Sequence, residues 1–111
     1  MAQGFGIDRT TGAAAIAIAL APGYQWTLHG IRVHLDIVGG AVEDLTVTID
    51  GGYVAAVYDT LLLTQAMAAV TDIVWTPDAP IHLGREDVLD IAYNNGNART
   101  YGVEIIFSME E

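Results

Sequence analysis

The fold class is decided by the stretch TYGVEIIFSM, which occupies residues 100–109. Most of its large apolar side chains share one parity: Tyr101, Val103, Ile105, Phe107 and Met109. The other parity holds Thr100, Gly102, Glu104, Ile106 and Ser108. Successive side chains of a β-strand point to opposite faces of the sheet, so this alternation predicts a strand with one buried face.

Alternation of the same period continues upstream and predicts most of the remaining elements. They lie at residues 15–21, 24–38, 45–49, 53–63, 71–75, 81–83 and 88–93. About eight strands separated by Gly- and Pro-containing turns are typical of an all-β sandwich or barrel. No segment resembles the crossover helix of a parallel α/β sheet. We therefore predict one antiparallel β-sandwich domain, jelly-roll-like, over residues 13–111.

Two segments allow an alternative to this strand interpretation. Alanine favours helices, so residues 13–21 have a short helix as the competing prediction. Pro22 and Gly23 directly after the alternation favour a strand that stops there. Residues 64–69 are predicted as a loop or as one helical turn.

Glycine and asparagine mark three special positions. The inward parity of the second long strand switches at Gly30, which predicts a β-bulge or a bend. Asp50-Gly51-Gly52 predicts a tight hairpin turn. Asn94-Asn95-Gly96-Asn97 predicts a hairpin loop, because asparagine and glycine tolerate left-handed backbone conformations.

The first dozen residues are the part of the chain that we expect to project as an N-terminal arm, residues 1–12. Gly4, Gly6 and Gly12 punctuate the two apolar residues of this segment, Phe5 and Ile7. An arm of this kind either frays or orders on a neighbour. Phe5 and Ile7 are therefore the predicted partner contacts.

Charge excludes two classes of partner. The chain has 111 residues, with 14 acidic residues against four arginines, no lysine and a formal net charge of −10. A nucleic-acid-binding protein needs a basic surface to displace counterions from phosphates. An anionic membrane surface would repel the chain for the same reason. We predict neither partner.

Low charge combined with high hydrophobicity predicts self-association. Hydrophobic residues make up 52% of the chain and charged residues only 16%. A small domain has a large surface for its volume, so some apolar surface should be covered by another chain. The alternative is a monomer whose surface carries Ala, Thr and Gly. Cysteine is absent, which excludes disulfides and thiolate chemistry, and the first residues do not read as a signal peptide.

Candidate catalytic and metal-binding residues are few. Ser108 lacks the Gly-x-Ser-x-Gly context of a nucleophile and is predicted to be a solvent-facing strand residue. The histidines are His29, His34 and His82, and only His34 with His82 might share a metal if their strands were neighbours. We predict surface histidines, no catalytic residue, no cofactor and no metal.

Acidic loop residues leave a calcium site or a small sandwich enzyme as a minor alternative. That alternative requires carboxylates clustered around Asp36, Asp44, Asp87 and Asp90. Paired loop acids such as Glu43-Asp44 and Glu86-Asp87 are predicted to be solvated turn residues instead.

Exposed aromatic rings would indicate carbohydrate binding by stacking. That hypothesis requires a solvent-facing row that contains Trp26 or one of the tyrosines. The competing prediction makes Trp26 and Trp75 core or interface anchors, because both bury a large area.

Several phrases of the sequence are similar to a known family. They are Trp26-Thr27-Leu28, Tyr58-Asp59-Thr60-Leu61-Leu62, Val74-Trp75-Thr76-Pro77, Glu86-Asp87-Val88-Leu89-Asp90, Tyr93-Asn94-Asn95 and Thr100-Tyr101-Gly102-Val103-Glu104. This series resembles small β-sandwich virion proteins of tailed bacteriophages, over about residues 24–108. Arg85-Glu86 stands where the family more usually has a glycine.

The resemblance implies a non-enzymatic virion structural protein, most closely a capsid decoration (auxiliary head) protein. Such a protein would be made in the bacterial cytoplasm and reside on the capsid surface. Its partners would be copies of itself, expected as a trimer, and a major capsid or other virion protein. The alternative is a carbohydrate-binding or receptor-binding module of a phage fibre, neck or tail.

Overall fold

The computed structural model describes residues 3–52 and 55–110, and the chain is all-β there as predicted. The strands are β1 (Gln3–Gly12), β2 (Ile16–Leu20), β3 (Gln25–Leu35), β4 (Asp44–Asp50), β5 (Thr60–Ala66), β6 (Asp72–Trp75), β7 (Ile81–Leu83), β8 (Val88–Tyr93) and β9 (Tyr101–Glu110). A single 3₁₀ turn at Ala55–Tyr58 lies between β4 and β5.

Two antiparallel sheets form the sandwich. The first sheet has the order β1-β9-β3-β6, and β7 also pairs with β3. The second sheet has the order β2-β8-β4-β5. The chain therefore runs as a double-stranded ribbon. Along it, β1 pairs with β9, β2 with β8, β3 with β6 and β7, and β4 with β5. A ribbon wound into two sheets in this way is a jelly roll, which confirms the predicted architecture.

The core lies between the two inner faces. Val103 and Ile105 of β9 lie opposite Val33 and Ile31 of β3, and all four side chains are buried. Val47 of β4 is fully buried in the facing sheet. The inner parity read from residues 101–107 is thus confirmed, because alternate positions of each strand fill the space between the sheets.

The predicted irregularity at Gly30 is a β-bulge. The pairing of β3 with β9 shifts register between Leu28 and Gly30, which leaves His29 as the extra residue. A Cβ on Gly30 would lie 3.1 Å from the carbonyl oxygen of Trp75. Glycine is favoured here because β6 ends at Trp75, beside the bulge, and the Trp75 carbonyl approaches the β3 backbone too closely for a side chain.

Residues 3–12 do not project as the arm that the sequence predicted. They form β1, which pairs with β9 along its whole length without a register shift. Its glycines explain the fit: a Cβ on Gly6 would lie 2.8 Å from the Phe107 ring, and one on Gly12 would lie 3.0 Å from the Tyr101 hydroxyl. The glycines thus leave room for two core rings of β9. A glycine-rich segment that looks frayed by composition is therefore an edge strand.

The predicted tight hairpin at Asp50-Gly51-Gly52 is wrong. β4 ends at Asp50 and β5 begins only at Thr60, so the connection is a long loop. The Gly51 amide donates to Asp59 Oδ1 at 3.0 Å, and the Gly52 amide donates to Asp87 Oδ1 at 3.3 Å. Tyr53, where a strand was predicted to begin, lies outside the described residues.

The loop around Asn94–Asn97 is not a hairpin either. It joins β8 in the second sheet to β9 in the first sheet. Asn95 is 4% exposed and has a left-handed φ of 52°. Its Nδ2 donates to the carbonyls of Ala13, Ala14 and Arg99, while its Oδ1 accepts from the Arg99 amide. The asparagine therefore ties the crossover loop to the β1–β2 connection.

Candidate functional site

The outer face of the first sheet carries the most varied chemistry in the described chain. We define this outer face as the residues of alternate parity on β1 from Phe5 to Thr11 and on β9 from Gly102 to Ser108, with their cross-strand neighbours on β3, β6 and β7. The corresponding face of the second sheet presents the small side chains of Ala17, Ala92 and Thr46, together with Asp90 and the exposed Leu61. The outer face of the first sheet differs in carrying the three ion pairs of the described residues, and it is the candidate functional site.

A serine and a histidine meet at the bulge. His29 Nε2 lies 2.8 Å from Ser108 Oγ, and the Phe5 ring lies against the imidazole with 5.3 Å between ring centroids. Ser108 is 0% exposed, so the prediction that it faces solvent is wrong. The cause is the bulge, which places the extra residue His29 beside Ser108 under Phe5.

The separation of this pair is within nucleophile–base reach, but its surroundings favour a structural role. Ser108 has no surface open to a substrate. In the described part of the chain, His29 has no hydrogen bond to a carboxylate that would orient it. The contact instead satisfies a buried hydroxyl, as folded proteins do for nearly all buried polar groups.

A second histidine contact continues the same row of the sheet. Thr27, which lies opposite Ser108 across β3 and β9, is 7% exposed. Its Oγ1 lies 3.0 Å from His82 Nδ1 on β7. Ser108 of β9, Thr27 of β3 and His82 of β7 thus form a row of polar side chains across the sheet. The two buried hydroxyls of this row each have a histidine as hydrogen-bond partner.

Two arginines share one carboxylate in the middle of the outer face. Arg9 Nε lies 2.7 Å from one Glu104 oxygen, and Arg32 Nε lies 3.3 Å from the other. The hydrogen bond from Arg9 lowers the pKa of Glu104, and the charge of Arg32 adds to the effect. Two arginines of the four in the chain thus converge on one acid.

His34 and Asp72 form the next pair along the sheet. The imidazole Nδ1 hydrogen-bonds Asp72 Oδ1 across β3 and β6. This contact lowers the pKa of Asp72, and a hydrogen bond from the Thr71 hydroxyl adds to the effect. Both side chains are exposed, so the pair contributes little to stability.

A shallow groove of 530 Å³ crosses the outer face over Gly102. A Cβ on Gly102 would meet no atom within 4 Å, so the missing side chain leaves the groove open. Arg9, Arg32, His34 and Val74 contribute to its walls. The groove thus combines the two charged pairs with one exposed apolar side chain.

The histidines that might have shared a metal are not brought together. His82 lies beside Thr27 and His34 lies seven positions further along β3, which is roughly 23 Å at 3.3 Å per strand residue. Among residues 3–52 and 55–110, no group of three or more His, Asp or Glu side chains is placed to hold a metal ion.

The four aspartates of the calcium hypothesis lie at opposite ends of the sandwich. Asp36 and Asp44 flank the connection between β3 and β4, whereas Asp87 and Asp90 lie at the start of β8. The single cluster that the calcium or enzyme alternative requires is therefore not formed by these four residues. Asp36 accepts a hydrogen bond from the Thr100 amide, and Asp87 accepts one from the Gly84 amide, as expected of acids in turns.

The tryptophans belong to the core rather than to a sugar-stacking row. Trp26 is 2% exposed and meets the Phe107 ring edge-on, with 5.9 Å between centroids. Trp75 is half-buried and packs against the core. A solvent-facing row that contains Trp26 is excluded, and the prediction of core anchors is confirmed.

The two predicted partner residues are both accessible. Phe5 is 75% exposed and Ile7 is 47% exposed, and both lie on the outer face of β1. Val74 on β6 is 76% exposed on the same face. All three side chains present apolar surface to solvent.

Two substitutions should change stability with opposite dependence on pH. The pKa of Asp72 is lowered, so its contribution is present above the unfolded pKa and disappears as the pH falls through the folded value. The pKa of Asp90 is raised by burial and by the charges of Asp50 and Asp59, so its ionisation destabilises the fold as the pH rises.

We therefore expect Asp72→Asn to destabilise the protein slightly and Asp90→Asn to stabilise it at about pH 6, with both differences smaller at about pH 2. Urea unfolding at several pH values measures both. Equal effects at both pH values would contradict the electrostatic explanation.

Like the Arg9–Glu104–Arg32 cluster, the pairing of His29 with Ser108 is a feature of this site that the sequence analysis missed. The two residues are 79 positions apart. The signal was the parity switch at Gly30: it implied an extra residue, but not which residue of β9 would face it.

The fold and the outer face define the class of protein: a jelly-roll β-sandwich with a mixed-charge, partly apolar sheet face. No protein-family model matches the chain, and no curated protein matches it. In the described residues, no helix has the length and hydrophobicity to cross a bilayer.

Proposed function

We propose that this chain is a non-enzymatic structural protein of a phage virion, most closely a capsid decoration protein. It binds copies of itself and a major capsid protein through its outer face. Jelly rolls are common in viral capsid and lectin domains, but the fold alone does not fix a function. The proposal therefore depends on the surface.

The observation that carries the proposal is the outward position of the apolar side chains of β1. Phe5 and Ile7 cannot turn inward, because Gly6 and Gly12 must face the Phe107 and Tyr101 rings. Exposed apolar side chains held on a rigid sheet are typical of surfaces that another protein covers. The histidine–serine pair nearby is closed beneath Phe5, which supports a binding role over a catalytic one.

Self-association should depend on these two side chains. We expect the Phe5→Ser/Ile7→Thr double variant to dissociate at least tenfold more readily, because burial of one large apolar side chain is worth about 1.5–3 kcal/mol. Native mass spectrometry at micromolar concentrations measures the species present. Val57→Ser is the matched control, since Val57 is equally exposed but lies in the 3₁₀ turn.

A wild-type chain that stays strictly monomeric would contradict self-association, and so would a double variant that assembles like the control. Point variants are preferable to removal of residues 1–12, because that deletion would take away an entire strand of the first sheet.

The virion role has its own test. Particles purified from the bacterium whose genome encodes this chain should contain it at copy numbers comparable to those of the major capsid protein, as measured by quantitative mass spectrometry. The gene should lie beside capsid, portal or tail genes. Absence of the chain from purified particles would contradict the proposal.

A further inference from the structure

The free edge of β1 is the longest uninterrupted sheet edge in the described chain. The opposite edge of the first sheet is interrupted between β6 and β7, where Pro77 and Pro80 occur. In the second sheet, β2 has only five residues, and β5 pairs with β4 through a register shift. β1 has ten residues, no proline and regular pairing with β9. Natural proteins normally blunt such an edge, because it can pair with another strand.

The side chains of β1 are also inverted relative to those of a strand that seals a core. Gly6 and Gly12 face the interior, whereas Phe5 and Ile7 face solvent. A slip of one residue would place a large side chain where the Phe107 ring lies. The register is therefore fixed, and the strand presents both its backbone edge and its apolar side chains outward.

We propose that β1 pairs antiparallel with β1 of a second copy about a two-fold axis at Ile7, so that the first sheet continues through both copies. The inference deepens the proposed function, on which it rests, by naming the self-association surface, and it puts a two-fold contact in place of the trimer that the resemblance implies. A second copy is the occupant that fits. An antiparallel edge presents donors and acceptors at the spacing that its own two-fold mate requires.

Charge selects the register within this arrangement. Directly opposite residues of an antiparallel pair share a face, so each residue must face one of the same parity. Centring the axis on Asp8 would place two aspartates opposite each other, and centring it on Arg9 would do the same for two arginines. Centring it on Ile7 places Ile7 opposite Ile7 and Phe5 opposite Arg9 of the second copy. This register pairs residues 3–11, the longest overlap without opposed like charges.

A single cysteine tests the arrangement, because the chain has none of its own. Opposite Cα atoms in an antiparallel pair lie about 4.5–5.5 Å apart, which is within the range that a disulfide bridges. Under mild oxidation, Ile7→Cys should give mostly disulfide-linked dimer on a non-reducing gel. Phe5→Cys and Arg9→Cys should each stay mostly monomeric, while the double variant Phe5→Cys/Arg9→Cys should cross-link.

Val42→Cys sets the rate of accidental cross-linking, since Val42 is 99% exposed in the loop between β3 and β4 and does not belong to β1. Cross-linking of Ile7→Cys at the Val42→Cys rate would overturn the β1 contact, as would equal cross-linking at positions 5, 7 and 9. A native mass spectrum dominated by trimers would also overturn it, because a two-fold contact builds even-numbered assemblies. The virion role is tested separately: particles that lack the chain would contradict that role while leaving the cross-linking result intact.

Discussion

Ile105→Ala should lower the free energy of unfolding by about 2–5 kcal/mol. Ile105 is fully buried in the central strand of the first sheet and lies opposite Ile31 of β3. Truncation removes apolar atoms from a packed interior and leaves a cavity that the two rigid sheets cannot close. Urea unfolding followed by tryptophan fluorescence measures the change, and Trp26 in the same core provides the signal.

Ile106→Ala is the matched control for this substitution. It removes the same atoms from the next residue of β9, whose side chain points to the outer face and is only partly buried. We expect a loss of about 1 kcal/mol or less, as for most surface substitutions. Similar losses at both positions would contradict the parity of β9 and, with it, the assignment of the inner face.

Asn95→Ala should destabilise the protein by about 3 kcal/mol. The substitution removes the donor to three carbonyls and the acceptor of the Arg99 amide. A hydrogen bond contributes about 0.5–1.5 kcal/mol net, and buried groups that are left without partners cost more. Alanine would also have to adopt the left-handed φ of 52°. Thermal and urea unfolding measure the loss.

Two further variants separate these causes. Asn94→Ala changes the exposed neighbouring asparagine and should leave stability within about 0.5 kcal/mol of wild type. Asn95→Gly removes the side chain but accepts the left-handed backbone freely. If Asn95→Gly had wild-type stability, the loss in Asn95→Ala would come from the backbone conformation, and the hydrogen bonds of Asn95 would contribute nothing to stability.

The parts of the fold that the sequence predicted are those that depend on alternation within one strand. Residues 81–83 and 88–93 form strands with the predicted bounds, β2 lies within the predicted segment 15–21, and the bulge lies at the predicted parity switch. Each of these signals is local, because the side-chain period of a strand is visible in a few consecutive residues.

The parts that failed depend on which strands meet. β1 resembles a flexible arm until the Phe107 and Tyr101 rings are placed over its glycines. The Asn94–Asn97 loop has hairpin composition, yet its flanking strands belong to different sheets. Turn propensity does not distinguish a hairpin loop from a loop that crosses between sheets, because both need residues that adopt the same backbone conformations.

The same limit applies to the candidate site. Phe5 and Ile7 were predicted as partner contacts because they are the apolar residues of a projecting arm; residues 3–12 instead form β1, and both side chains are exposed on the outer face. The contact of His29 with Ser108 and the shared Arg9–Glu104–Arg32 cluster depend on cross-strand register. Register is set by the packing of the entire sheet and is not encoded near any one of these residues.

The position of β9 has a consequence for how the protein folds. β9 follows the other strands along the chain, yet it lies between β1 and β3 in the first sheet. On a ribosome, β1 has no strand to pair with until β9 has emerged. Folding dominated by such distant pairings is slow, on the order of milliseconds to seconds. The growing chain therefore carries an unpaired β1 until β9 has been synthesised, a period in which premature pairing between neighbouring chains competes with completion of the sheet.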